Sequence, residues 1–319
     1  MKAAVVSSYA EPPRYTDFDD PVPGADEVLI RVTAAGLHPI VKAIAGGKHY
    51  GSTGKFPFVA GLDGVGRLED GSRVFFGGAR PPFGTMAERA VAARNRCFAI
   101  PDALDEVTVA AMMNPGMGSW GAIVERAHLT AGENVLILGA TGSAGQLAVQ
   151  IAKRLGAGRI VAAGRDQRSL DGLRSMGVDA TISLSQDRDA LVRAFRDEIH
   201  GNHIDVILDY LWGAPAESVL AAIEQKGLDH AASRIRYVQI GNSAGPAITL
   251  HASSLRSSGL EMLGSGFGSV SMAKIFEGLK ALLQEAARQP FQIQTKTAPL
   301  SAVERLWNTE QNARIVFQP

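Results

Sequence analysis

The chain has 319 residues, 46% hydrophobic and 20% charged, the proportions of an ordinary soluble globular protein with room for two cores. Thirty-two basic side chains balance thirty-two acidic ones, so no global field draws it to nucleic acid or an anionic membrane. One cysteine, Cys97, excludes an internal disulfide and a multi-cysteine metal cage, and it fits a reducing compartment, taken as the cytosol. No apolar stretch reaches the roughly 18 residues of a membrane span, and MKAAVVSSYAEPPRY has too short an apolar run for a signal peptide.

The first part of the chain is predicted to be strand-rich. Glu27–Thr33 alternates, with Val28, Ile30 and Val32 on one face. Phe58–Arg67 reads as a strand interrupted by Gly61, Gly64 and Gly66, where the backbone must bend or approach something closely. Arg73–Phe76 and Met86–Ala93 are further short strands around the loop GGARPPFG, as in a compact barrel or partly open sheet. Beyond Pro101 the pattern changes. Asp105–Met113 and Gly116–Ala127 read as two helices.

From Asn134 strands and helices alternate. Strands are predicted at 135–138, 159–163, 180–184, 204–209 and 235–240, with helices at 169–176, 188–199 and 216–225 between later members. Such alternation predicts a doubly wound parallel sheet whose ligand crevice lies at the carboxyl ends of its strands. Gly259–Gly266 reads as its last strand, Ser271–Ala287 and Ala302–Asn312 as helices, and Ala313–Phe317 as a closing strand.

Asn134–Gly156, NVLILGATGSAGQLAVQIAKRLG, carries the most chemistry. Val135–Leu138 is a continuous apolar run, a glycine turn follows, and Leu147, Ile151 and Leu155 then recur on one helical face. A strand entering a helix through small residues presents backbone N–H groups and a positive dipole end to an anion. Gly142, Ser143, Ala144 and Gly145 are therefore the candidate cradle for a dinucleotide pyrophosphate, against the plain alternative of a turn that packs a helix closely on a sheet. After the next strand the chain reads Gly164-Arg165-Asp166-Gln167-Arg168. Gly164 leaves room, and Arg165 and Arg168 offer cationic forks suited to a 2′-phosphate, so NADPH is the expected cofactor. Asp166 could instead pair with an arginine or accept from a ribose hydroxyl, as an acid does in NAD sites. Gly241, Asn242 and Ser243 follow a late strand, where small residues would admit the nicotinamide ribose or simply form a polar turn. Tyr210-Leu211-Trp212-Gly213 either walls that pocket or caps the core. His38, His49, Asp63 and Cys97 show no zinc-ligand spacing, and no metal is expected.

These pieces resemble the medium-chain dehydrogenase/reductase superfamily, and most closely its zinc-independent quinone oxidoreductase branch. The resemblance runs through MKAAVV, EVLIRVTAAGLHPI, FVAGLDGVGRL, AAMMNPGMGSWGAI, AGENVLILGATGSAGQLAVQIAKRLGA, IDVILDYLWG, IGNSAG and RIVFQP, almost the whole chain. It implies an α/β protein: a GroES-like β-barrel catalytic domain at 1–114, completed by 266–319, and a Rossmann domain at 115–265. Zinc-dependent members place a cysteine where this chain has Leu37 and His38, and a histidine and an acid where it has Gly61-Leu62-Asp63. Quinone oxidoreductases have a tyrosine in the loop that here holds Tyr50, and a threonine near the nicotinamide where this chain has Gly118 and Ser119.

The resemblance implies an NADPH-dependent reductase passing hydride to a quinone or an α,β-unsaturated carbonyl. Tyr50, His38 and Ser119 are the candidate hydrogen-bond donors to the oxygen that gains charge. Two alternatives stay open. One is a reductase of simple carbonyls or enoyl thioesters, for which Lys42, Lys48 and Lys55 would supply a cationic rim. The other is a non-catalytic NADPH sensor or RNA-binding protein, which the zero net charge weighs against. The expected partners are a small electrophilic substrate and, through an edge strand at Gly259–Gly266, a second copy of the chain.

Overall fold

A computed structural model describes every residue except 226, 228–232 and 310–312, and it resolves into two units, Met1–Pro115 with Leu279–Pro319 and Gly116–Gly278. In the first unit the chain forms β1 (Lys2–Val6), β2 (Arg14–Asp17), β3 (Glu27–Gly36), α1 (Pro39–Ala45), β4 (Phe58–Val59) and β5 (Asp63–Arg67). β6 (Arg73–Gly77), β7 (Arg89–Ala93) and β8 (Cys97–Ala99) follow, and then α2 (Glu106–Trp120). β3 buries Val28, Ile30 and Val32 and exposes Leu29 and Arg31, as its alternation predicts.

The strand expected over Phe58–Arg67 is two strands. β4 pairs with β1, whereas β5 pairs with β3 and β6. Gly61 makes the break: its φ is +105°, and a Cβ there would overlap Thr85 Oγ1 and lie 2.7 Å from the Met86 nitrogen. The strand expected from Met86 begins only at Arg89, with Ala87 joined to Ala3 by an isolated bridge. The two helices expected on either side of Pro115 are instead one, α2, which continues as a π-helical stretch over Gly121–Arg126. A proline in a helix costs about 3 kcal/mol. Burial of Val109, Met112, Met113 and Ile123 outweighs it, at roughly 1.5–3 kcal/mol for each large side chain.

The second unit holds β9 (Val135–Leu138), α3 (Ser143–Arg154), β10 (Ile160–Gly164), α4 (Gln167–Leu173), β11 (Ala180–Ser183) and α5 (Arg188–Arg196). It continues through β12 (Val206–Asp209), α6 (Gly213–Ile223), β13 (Arg234–Gln239), α7 (Ala252–Arg256) and β14 (Gly259–Gly264). The six strands are parallel, in the order β11-β10-β9-β12-β13-β14. The order reverses between β9 and β12, so the crevice of a doubly wound sheet opens beyond Leu138 and Asp209. Leu136, Leu138, Val161, Phe195, Ile207, Leu220 and Tyr237 belong to one core cluster of this unit. That core holds the strand ends, and thus the turns after them, in a fixed relation.

The chain then forms α8 (Met272–Arg288), β15 (Thr295–Pro299), α9 (Val303–Leu306) and β16 (Arg314–Gln318). β16 pairs antiparallel with β3, Val316 opposite Gly36, and completes the order β15-β16-β3-β5-β6-β8, with β7 also on β3. A second sheet, β2-β1-β4, completes the unit. The helix expected over Ala302–Asn312 is a 3-10 turn at Leu300–Ala302 followed by the short α9, and its last three residues lie outside those described. These are the GroES-like and Rossmann folds that the resemblance implies. No helix among the described residues is long and apolar enough to cross a membrane.

Candidate active site

The turn after β9 is built for an anion. Gly142 is the N-cap of α3 and contributes no side-chain cap, so the N–H groups of Ser143, Ala144 and Gly145 head a twelve-residue helix. Helix geometry gives those first N–H groups no partner within the helix, and the dipole adds positive potential there. Gly145 is demanded by packing. A Cβ on it would overlap the Gly139 carbonyl oxygen and lie 2.5 Å from Ala140 Cα. Gly164, at the end of β10, faces the same turn, and a Cβ there would lie 2.6 Å from Thr141 Cγ2. Close approach of strand, turn and helix leaves the cradle open to a ligand, and a dinucleotide pyrophosphate fits its donors.

Arg165 and Arg168 follow directly, both exposed, and among the described residues no carboxylate forms an ion pair with either. Asp166 has another task. It is the N-cap of α4, and its Oδ2 accepts from the Ser169 N–H at 2.8 Å. Hydrogen bonds from Ser169 hold this carboxyl below the usual carboxylate range, so it stays ionised as a cap.

The turn after β12 is the second constructed feature. Asp209 is buried, and burial raises its carboxyl pKa against the hydrogen bonds it accepts. Those come from Tyr237 Oη at 2.6 Å, Leu211 N at 2.7 Å and Trp212 N at 3.0 Å. Trp212 is held at φ +57° and Gly213 at φ +59°, a sharp reversal that only such bonds sustain at a tryptophan. Trp212, Gln239, Asn242, Pro246, Met262 and Gly264 line an open cleft of about 360 Å³. Asn242 is exposed on its rim, Gly241 N donates to Asp209 O at 3.1 Å, and Ser243 Oγ donates to Tyr210 O at 3.1 Å.

The three candidate donors have different surroundings. Tyr50 is 76% exposed and its ring lies 4.0 Å from that of His49. Ser119 is fully buried, 3.1 Å from the Ala144 carbonyl and 2.7 Å from the Tyr210 hydroxyl. His38 is fully buried too, with Nε2 3.7 Å from Asp63 Oδ1. Asp63 Oδ1 also accepts from Asn114 Nδ2 at 3.4 Å. Burial, and then the Arg314 charge, hold the His38 imidazole well below its ordinary pKa. Burial raises the Asp63 carboxyl to about 7, against the opposing pull of Asn114 and Arg314. Neither the Ser119 nor the His38 side chain reaches solvent, whereas that of Tyr50 does.

Sequence reasoning missed the His38–Asp63–Asn114–Arg314 cluster, whose members lie on four separate stretches of the chain. The signals were an acid at the start of β5 and an arginine at the start of β16. Among the described residues no three or more His, Cys, Asp or Glu side chains group as a metal site.

A family model for zinc-binding dehydrogenases matches residues 144–285. A probable NADPH-dependent quinone reductase of Emericella nidulans is 28% identical over 367 aligned positions, covering 100% of each chain. The quinone oxidoreductase of Lama guanicoe is 33% identical over 166 positions, 48% of this chain and 49% of that protein. The solved structure of the quinone oxidoreductase from Thermus thermophilus has the same fold, with a TM-score of 0.79 at 22% identity over 100% of both chains.

Proposed function

We propose that this chain is a member of the medium-chain dehydrogenase/reductase superfamily, in its quinone oxidoreductase-like branch, and a zinc-independent, NADPH-dependent reductase of quinones and α,β-unsaturated carbonyls. The observation that carries this reading is the anion cradle of α3 with Arg165 and Arg168 exposed beside it while Asp166 is committed to its cap. The Emericella nidulans relative, matched along its full length, is named for the same cofactor and acceptor class.

The N–H groups of Ser143, Ala144 and Gly145 would hold the pyrophosphate, and Arg165 and Arg168 the 2′-phosphate. Gly164, Gly241, Asn242 and Ser243 would let the ribose groups approach the backbone. When bound, NADPH supplies a hydride. The chain's own task is to orient the acceptor, exclude water and meet negative charge on the acceptor oxygen. Tyr50 is the donor kept for that role, its side chain being the one of the three that reaches solvent. A conjugated acceptor delocalises the charge, so a hydrogen bond can serve where simple carbonyls would call for a Lewis acid. A relative from Aspergillus terreus named as a trans-enoyl reductase, 30% identical over 60% of this chain and 59% of its own length, supports enoyl compounds as a second acceptor class, with enoyl thioesters among those to test. Lys48 and Lys55 are exposed and could meet a carrier phosphate, and Lys42 is half-buried. The same reading makes the protein a cytoplasmic homodimer paired through β14, one of the two edge strands of the parallel sheet.

NADPH oxidation against matched panels of quinones, enones, enals, enoyl thioesters and simple ketones tests this. Turnover of conjugated acceptors, unaffected by a chelator, is expected. Tight NADPH binding with no turnover of any acceptor would favour a sensor instead.

A further inference from the structure

Tyr210 stands at the reversal of the parallel sheet, and its contacts run in both directions from it. Its backbone N–H donates to the Leu138 carbonyl at 3.2 Å, tying it to the last residue of β9. Its hydroxyl lies 2.7 Å from Ser119 Oγ, which is 3.1 Å from the Ala144 carbonyl in the first turn of α3. That carbonyl can only accept. With the Ser119 proton directed to it, the Tyr210 hydroxyl donates to Ser119. On the other side, the Tyr210 carbonyl accepts from Ser243 Oγ at 3.1 Å. Gly241 is packed so closely that a Cβ would lie 2.6 Å from the same carbonyl oxygen. Burial pushes the Tyr210 phenol above its ordinary pKa, so it remains a neutral donor at every physiological pH.

We propose that Tyr210 is a positioning residue that orders the phosphate turn at 139–145 and the turn at 241–245 as one unit, setting the affinity for the dinucleotide. The inference rests on the NADPH reading above. A dinucleotide must meet both turns at once, so each turn that is loose in the free protein adds an ordering cost to binding. The Tyr210 side chain secures one turn through Ser119, its backbone secures the other, and β9 anchors both. Ser119 thereby supports the cradle from behind.

Tyr210→Phe removes one hydroxyl and leaves the ring that fills the site. Two measurements test the proposal with Tyr210→Phe, Ser119→Ala and the double variant. Amide hydrogen exchange of the free protein is expected to quicken at both 139–147 and 239–246 in Tyr210→Phe. Loss of protection confined to one turn, or to neither, would overturn the coupling. In NADPH fluorescence titrations each single variant is expected to weaken binding about five- to tenfold, the loss of one buried hydrogen bond. The double variant should bind like the singles, because all three break the same chain. Its KM for NADPH should rise by more than its kcat falls. Independent, additive losses or an unchanged dissociation constant would overturn the positioning role. A wild-type protein that shows the exchange coupling and yet binds no NADPH would refute the cofactor reading alone.

Discussion

His38 Nε2 and Asp63 Oδ1 lie 3.7 Å apart, both side chains buried, and burial favours the neutral form of each. The charged groups that face them are Arg314, whose field acts on both, and Lys42, which feels Arg314. An ion pair would gain Coulomb energy but would place two charges where water cannot reach them. Two uncharged partners are the better arrangement.

Stability therefore depends on pH in two opposing ways. The Asp63 carboxyl is raised from 3.8 to about 7, so the folded state binds its proton more tightly than the unfolded chain does. That contribution is complete below about pH 4 and is lost as pH rises through 7, on the order of 4 kcal/mol in all. His38 is depressed, and its contribution is lost as pH falls below its ordinary value toward the lower folded one. Asp63→Asn keeps the shape and stays neutral. Thermal unfolding at pH 5, 6, 7 and 8 should show the variant gaining on the wild type as pH rises. A difference that shrinks with pH would show the carboxyl to be ionised in the folded protein.

Gly145→Ala should damage the cradle. The new methyl meets the Gly139 carbonyl and Ala140 Cα, both backbone, so α3 must move away from the turn. Overpacking of this kind costs about 1–3 kcal/mol. NADPH affinity should fall at least tenfold while circular dichroism keeps the native spectrum. Wild-type affinity in the alanine variant would mean that the phosphate lies elsewhere.

Arg165→Ala and Arg168→Ala should each weaken NADPH binding about ten- to a hundredfold, the range of a charge-assisted hydrogen bond. NADH, lacking the 2′-phosphate, should bind these variants as it binds the wild type. Isothermal titration with both cofactors decides the matter, and a parallel loss for NADH would count against the assignment.

Asp166→Ala separates capping from recognition. Loss of the bond to Ser169 N should cost about 1 kcal/mol, read as a lower midpoint in urea unfolding. The ratio of NADPH to NADH affinity should hold or rise, since one negative charge leaves the neighbourhood of Arg168. A shift of preference toward NADH would place the carboxylate in the ribose site after all.

Tyr50→Phe should lower kcat/KM for conjugated acceptors by roughly ten- to a hundredfold if its hydroxyl meets the acceptor oxygen. Steady-state kinetics with one quinone and one enone measures this. Unchanged kinetics with both acceptors would leave the charge to water.

Much of this protein is decided locally. The run Val135–Leu138, the small residues to Gly145 and the spacing of Leu147 and Ile151 specify a strand, a turn and a helix whatever surrounds them. An anion site at such a junction follows from backbone geometry alone, so the cradle and the cofactor class were legible in one dimension. Arg165 and Arg168, close together in the chain, are read as a pair from the sequence, and the structure leaves both exposed. The role of Asp166 was less so, because a capping bond to Ser169 and a ribose contact have the same sequence signature.

Relations between distant segments required the folded molecule. Phe58–Arg67 split because Gly61 has to clear Thr85 and Met86, which no local pattern announces. His38 met Asp63, and Ser119 met Tyr210, through packing of separate elements. Both side chains are buried there, with His38 Nε2 3.7 Å from Asp63 Oδ1 and Ser119 Oγ 2.7 Å from the Tyr210 hydroxyl. Burial and the hydrogen-bond partner set what a polar side chain can do, and both are properties of tertiary contact. Sequence alone determined that the chain presents a dinucleotide cradle. Tertiary structure decided which polar groups are exposed, as Tyr50 is, and which are buried against partners from distant segments, as Ser119 and His38 are.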